Sequence, residues 1–338
     1  MAIFRCNKCG YLREVMNDYI GKSVHCPQCK QVNTIYDTVE FIEKVLAKSL
    51  TQYKELQQLR VQLQQLRVQL TPTESTDMTS VKPQPLADMN IYNTTDLTHQ
   101  HQYEPIVAWF ERQHIQLGIN HRAIDTTGFF DEVAIQLGNQ YDTLKFVIDQ
   151  IRYIQQKGYT NVKITLSNSS QKQIATITRF CQELYDYSFV TKYSYQKQTK
   201  VIWLTLQTVP SIVKFFNGEW MEWFVFMKLL EFFHKKQLSV ACLRGFTITF
   251  PNQDIHEIDV FFLINDTLPL CIECKTGEFR RDIEKYYGLR KRLNLDTTQF
   301  LVCVVGLSDE QAQGLSSMYN LTFVNERNFL QHVEQLIS

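Results

Sequence analysis

The chain has 338 residues, 44% of them hydrophobic, with 35 basic and 35 acidic side chains and a formal net charge of zero. That length supports at least one full core, and the neutral balance excludes a global electrostatic pull toward nucleic acid or anionic membrane, so any such surface must be local. With no run of about 18 apolar residues and no charged-then-apolar leader, the sequence predicts neither membrane insertion nor secretion, and its nine cysteines, an odd number with four in tight pairs, suit a reduced cytoplasm and a metal site.

Residues 1–37 contain "CNKC" and "CPQC", so Cys6, Cys9, Cys26 and Cys29 form two C-x2-C pairs. Four thiolates presented by two turns make a closed tetrahedral Zn²⁺ site, which leaves no open position for catalysis. A segment this small has too little core to fold alone, so metal binding is expected to drive its folding. The pattern resembles a zinc ribbon, which implies binding to nucleic acid or to protein.

Residues 38–70 end in a repeat, "LQQLRVQ" twice, that places Leu56, Leu59, Leu63, Leu66 and Leu70 on alternating three- and four-residue steps. These are a and d positions of a heptad, and they predict a coiled-coil helix and a homodimer or higher oligomer. Residues 71–103 turn to Thr, Ser, Pro, Asn and Gln without period and read as a flexible linker.

Residues 104–210 alternate strand and helix patterns. "FFDEVAIQL" is expected as a strand, "TLKFVIDQIRYIQQKG" as a helix stopped at Gly158, "NVKITLS" as a strand and "SQKQIATITRFCQELYD" as a helix. "YSFVTKYSYQ" and "KVIWLTLQ" then close as a hairpin. The order β-α-β-α-β-β predicts a small α/β sandwich with helices on one side of a mixed sheet, serving as a sensor, a nucleic-acid-binding module or a dimerisation module. Ser167, Asn168 and Ser169 stand between a strand end and a helix start, where an anion site and simple capping are equally consistent readings.

Residues 211–338 read helix, three strands, helix, strand, helix. "NGEWMEWFVFMKLLEFFHKKQ" is a long aromatic helix, and "ACLRGFTITF", "EIDVFFLIN" and "LPLCIECKTG" are strands. "RRDIEKYYGLRKRLNL" is a crossover helix into the buried, parallel strand "QFLVCVVGL". Strand side chains alternate faces, so Glu273 and Lys275 point the same way, and an antiparallel partner ending near Asp259 brings that carboxylate beside Glu273. Two carboxylates a few Å apart repel unless a cation lies between them, and oxygen ligands of this kind suit Mg²⁺ or Mn²⁺. Lys275 beside them can orient or deprotonate an attacking water and stabilise charge on a phosphate.

"EIDVFF" followed by "IECK" resembles the D…ExK core of the PD-(D/E)XK nuclease superfamily, a restriction-endonuclease-like α/β fold. Gly218-Glu219-Trp220-Met221-Glu222 resembles the preceding helix of a narrower group, the CRISPR-associated nucleases that carry a cyclic-oligonucleotide sensor (CARF) domain. The resemblance implies a metal-dependent endonuclease acting on nucleic acid, DNA before RNA, in defence against foreign nucleic acid. It implies Asp259 and Glu273 as metal ligands with the Cys274 carbonyl as a third, Lys275 as the catalytic lysine and Glu222 as an accessory acid. The narrower likeness implies a nucleotide effector, although a ribbon and heptads stand where that group places its sensor. The alternative readings are a cyclic-oligonucleotide-activated ancillary nuclease of that CRISPR group, a nuclease fold that binds nucleic acid without cutting, and a regulatory assembly protein whose ribbon and coiled coil carry the function.

Other residues have plainer readings. Cys271 and Cys274, three apart in a strand, face opposite ways and read as core thiols, and His256 points away from Asp259. Glu257 shares the face of Asp259 at a solvated strand end. Arg280, Arg281, Lys285, Arg290, Lys291 and Arg292, with Tyr286 and Tyr287, suit either a phosphate-gripping helix or an ordinary solvated face.

Overall fold

A computed structural model describes residues 2–6, 8–9, 11–38, 100–120 and 129–338. The chain is a multidomain α/β protein that divides into two compact units, Met1–Thr79 and Ser80–Ser338. The heptads and most of the expected linker, residues 39–99, lie outside the described residues.

The first unit is a four-stranded antiparallel sheet of β1 (Ala2–Arg5), β2 (Leu12–Val15), β3 (Ser23–His25) and β4 (Val32–Asp37), in the order β2-β1-β4-β3. Its buried cluster is Ala2, Phe4, Cys6, Cys26 and Ile35, of which two members are cysteines. So little apolar surface cannot offset the ordering of the chain, which leaves the thiols to complete the fold.

The second unit opens with α1 (Gln100–Glu111), four residues inside the segment read as linker, and Tyr103 is already buried in the core. A short strand, β5 (Gln116–Gly118), follows and pairs antiparallel with β9 (Val240–Thr249).

"FFDEVAIQL" is helix, not strand: it forms most of α2 (Phe130–Asn139). Its apolar residues fit alternation and helical spacing alike, and burial of Val133, Ala134 and Leu137 on one stripe selects the helix. Gly138 lets α2 approach α6 (Trp220–Lys235) so closely that a Cβ there would run into the Phe224 ring. Next come α3 (Tyr141–Gln156), β6 (Asn161–Thr165), α4 (Gln171–Asp186), β7 (Val190–Gln196) and β8 (Val201–Leu206). The middle segment is therefore α-α-β-α-β-β, and its three strands form an all-antiparallel sheet, β6-β8-β7, instead of a mixed one. Ser170 caps α4 in a reciprocal box with Gln173. That favours the capping reading of Ser167–Ser169 and their neighbour.

After α5 (Pro210–Lys214) the chain makes a π-type turn, Phe215–Glu219, with Gly218 at φ 144°, and runs into α6. A Cβ at Gly218 would stand 2.8 Å from Thr276 Oγ1, so the turn needs glycine both for its φ and for this approach. The main sheet has six strands in the order β13-β12-β11-β10-β9-β5, with β10 (Ile255–Ile264), β11 (Leu268–Lys275), β12 (Phe300–Val304) and β13 (Thr322–Val324). β9, β10 and β11 are antiparallel, whereas β12 lies parallel to β11 after the crossover helix α7 (Ile283–Arg292). Helices α8 (Asp309–Tyr319) and α9 (Phe329–Ile337) complete the chain. One buried cluster runs from Tyr103 to Val333, so the segments on either side of Pro210 share a core. Among the described residues, no helix is long and apolar enough to cross a membrane.

Candidate metal and active sites

In the first unit Cys6, Cys9, Cys26 and Cys29 gather, with their Sγ atoms all within 4.8 Å of one another. Cys6 Sγ lies 3.3 Å from Cys29 Sγ, Cys9 Sγ lies 3.6 Å from Cys26 Sγ, and Asn33 Nδ2 donates to Cys6 Sγ at 3.6 Å. Four soft ligands at the ends of two turns are able to hold a zinc ion, and the Asn33 amide supplies the outer contact such sulfurs commonly take. Among the described residues this is the one gathered group of three or more Cys, His, Asp or Glu side chains.

The second site lies where β11 runs out. The β10–β11 register pairs Val260 with Ile272, so the next rung sets Asp259 against Glu273. On its other side Asp259 faces a gap in the ladder: β9 pairs Phe246 with Ile258 and Arg244 with Val260, and Gly245 between them takes φ 56°. Asp259 Oδ2 accepts the Cys274 N–H at 2.7 Å, which fixes its orientation. Lys275 Nζ bridges the pair, 3.5 Å from Asp259 Oδ2 and 3.8 Å from Glu273 Oε2. Tyr286, buried beneath, presents its ring to the ammonium at 5.6 Å.

Glu273 is 2% exposed, and its Oε1 has no hydrogen-bond partner. Burial first, and then the charge of Asp259, push its carboxyl up to about 8 against the pull of Lys275. Burial disfavours the Lys275 charge too, but Asp259 and Glu273 outweigh it and hold the ammonium above its ordinary range. A buried carboxylate with an orphaned oxygen opposite a fixed aspartate is a costly arrangement in isolation, and a hard divalent cation satisfies both. The donor set therefore fits Mg²⁺ or Mn²⁺.

Glu222 stands in the first turn of α6, where the helix dipole favours an anion. Burial, followed by Asp259, raises its carboxyl well above the ordinary range. Its Oε2 accepts from Arg244 Nη1 at 2.9 Å, and the same nitrogen reaches Glu219 Oε1 at 3.4 Å. Arg244 is 1% exposed, with its guanidinium 3.8 Å from the Trp223 ring centroid. Sequence reasoning missed this arginine, although a lone cation inside "ACLRGFTITF" was the available signal.

The remaining candidates separate cleanly. Cys271 and Cys274 are buried thiols of the core, and Glu257 is exposed. His256 packs edge-on to Phe250, 5.5 Å between centroids. The basic helix is only partly a surface: Tyr286 and Arg290 are buried, and Arg290 donates to the Leu295 carbonyl. Arg292 is held by Asp254 and Asn252 and Arg280 by Glu278, and Arg281, Lys285 and Lys291 are exposed as well.

No family model matches the chain, and no curated protein matches it. Several solved structures resemble it, two of them as follows. The crystal structure of protein VC1899 from Vibrio cholerae is 16% identical with a TM-score of 0.45, covering 79% of this chain and 64% of that one. Can2 from Sulfobacillus thermosulfidooxidans, in complex with cyclic tetra-adenylate (cA4), is 14% identical with a TM-score of 0.46, covering 69% of this chain and 59% of that one. The chain thus spans less than two thirds of the length of either.

Proposed function

We propose that the protein is a metal-dependent endonuclease that hydrolyses phosphodiester bonds in DNA or RNA, with Asp259 and Glu273 holding Mg²⁺ or Mn²⁺. The observation that carries this reading is the buried Glu273 carboxyl with an unpartnered oxygen, on the rung opposite Asp259, with Lys275 Nζ 3.5 and 3.8 Å from the two carboxyls. A divalent ion bound there supplies Lewis-acid polarisation of a phosphate oxygen. Lys275, held protonated by its two neighbours, places a fixed cation where negative charge grows on the phosphate, and its N–H groups orient the attacking water. Glu222, anchored by Arg244, supplies a third carboxyl that accepts the proton of that water. Zinc in the Cys6, Cys9, Cys26 and Cys29 cluster serves folding, and the heptads serve self-association.

Purified protein incubated with Mg²⁺ or Mn²⁺ and labelled single- and double-stranded DNA and RNA tests the reading. Cyclic tetra-adenylate, the ligand in the Can2 structure, is added as a parallel arm. Cutting should appear with Mg²⁺ or Mn²⁺ and fail with Ca²⁺, whose looser geometry activates water poorly. Lys275→Ala should lose most of the rate while keeping substrate affinity, because its role belongs to the transition state. Full activity in that variant would return "CIECKTG" to an ordinary strand with a buried ion pair.

A further inference from the structure

We infer that the outer face of the three-stranded sheet β6-β8-β7 is a binding platform for single-stranded nucleic acid, with Trp203 as the base-stacking residue and Lys163 and Lys192 as phosphate contacts. Neither residue set belongs to the metal site, and the inference stands whether or not the chain cuts.

The geometry begins with alternation. In β8, Ile202, Leu204 and Leu206 are buried, while Trp203 between them is 41% exposed. The inner residues face α3 and α4, whose apolar stripes are Leu144, Val147, Ile148 and Ile151, and Ile174, Ile177, Phe180 and Leu184. Apart from the indole and the buried Val201 the outer face is polar, and Tyr185 of α4 borders the groove beside it. Register then sets the neighbours. Lys163 and Ser194 flank Trp203 on one rung, and Asn161 and Lys192 flank Thr205 on the next. Lys163 Nζ stands 5.5 Å from the Trp203 ring centroid. An open groove of about 340 Å³ runs beside the indole toward β7, lined by Asn161, Lys192, Ser194 and Thr205 among others.

Charge decides the occupant. The strands read NVKIT, VTKYSYQ and VIWLTL, without one aspartate or glutamate, so the only charges they carry are the two lysines, in a chain of zero net charge. A second copy seated symmetrically here would set lysines against lysines. A polyanion with planar rings matches every feature: a base stacks on the indole, and adjacent phosphates meet the two ammonium groups. A duplex keeps its bases stacked on one another, so the flat indole selects single strands.

The test uses the full chain carrying Asp259→Asn, without added divalent ion, and fluorescein-labelled 20-mers of dT and rU followed by anisotropy. Trp203→Ala should weaken binding roughly 5- to 100-fold, and Trp203→Phe should keep most of it, because stacking needs only a ring. Lys163→Gln with Lys192→Gln should lower the slope of log affinity against log salt by about 1.4, since two phosphate contacts are lost. Lys157→Gln, at the end of α3, should change neither affinity nor slope beyond its own background. The expected and contrary dT and rU outcomes only sort DNA from RNA; equal affinity for Trp203→Ala and the parent on both would overturn the platform. A drop in solution mass for Trp203→Ala, with unchanged affinity, would assign the face to a second copy instead. Because cutting is disabled, failure here leaves the nuclease reading untouched.

Discussion

Replacing Glu273 with Gln should stabilise the metal-free protein, and the gain should grow with pH. Burial and Asp259 raise the Glu273 carboxyl from 4.5 to about 8 in the folded chain. Below pH 4.5 the group is protonated whether folded or unfolded and imposes no penalty. As pH rises, the unfolded chain releases the proton while the folded chain retains it, so stability falls until the folded group also ionises near pH 8. At 1.36 kcal/mol per unit the loss is about 3 kcal/mol at pH 7 and levels off near 5 kcal/mol above pH 8. Gln has no proton to lose and escapes it. For a unit the size of Ser80–Ser338, that corresponds to a Tm gain of roughly 6–12 °C at pH 7, shrinking to about 1–3 °C at pH 5. Trp109, Trp203, Trp220 and Trp223, all four tryptophans, lie in this unit, so intrinsic fluorescence follows its melting alone. Dialysis without added divalent ion, in place of a chelator, spares the cysteine cluster. Adding Mg²⁺ should raise the Tm of the parent and not of the variant. An equal or lower Tm for Glu273→Gln at pH 7, or a gain that persists undiminished at pH 5, would refute the reasoning.

Purified chain should carry zinc, and Cys26→Ser with Cys29→Ser should lose both the metal and the fold of the first unit, as read by elemental analysis and amide-exchange protection; a metal-free, folded ribbon would contradict this. Leu59→Glu with Leu66→Glu should reduce the mass in solution by light scattering, and an unchanged mass would exclude the heptads as the interface. Arg244→Met should destabilise by roughly 2–4 kcal/mol in chemical denaturation, by leaving the half-buried Glu222 without its cation. That loss should be larger at pH 8 than at pH 5, where Glu222 can take up a proton; a pH-independent loss would mean that Arg244 acts only through its packing on Trp223.

The strand chemistry was legible because alternation is a local rule. Glu273 and Lys275 had to share a face, and the tight turn through Asn265 and Asp266, both at positive φ, brings Asp259 opposite without any long-range information. "FFDEVAIQL" is ambiguous in sequence because its apolar spacing satisfies both periods, and the Phe224 ring that settles the matter arrives about ninety residues later. β5 is three residues long and exists only because β9 offers an edge. Arg244 was overlooked because its significance rests on Glu219, Glu222 and Trp223, which a helix brings to it across the sheet.

The parallel pairing of β11 with β12 bears on when the Asp259–Glu273 pair comes together during synthesis. Glu273 and Lys275 sit on an internal strand whose far neighbour, Phe300–Val304, is joined to it through the whole of α7. A ribosome releasing about 5–20 residues per second exposes Asp259, Glu273 and Lys275 before that neighbour exists. Until the crossover closes, Glu273 faces water on one flank, its carboxyl is an ordinary acid, and the strained pair that calls for a cation has not been assembled. The geometry that sets Glu273 against Asp259 beside a buried neighbour is thus complete only once this non-local strand has docked.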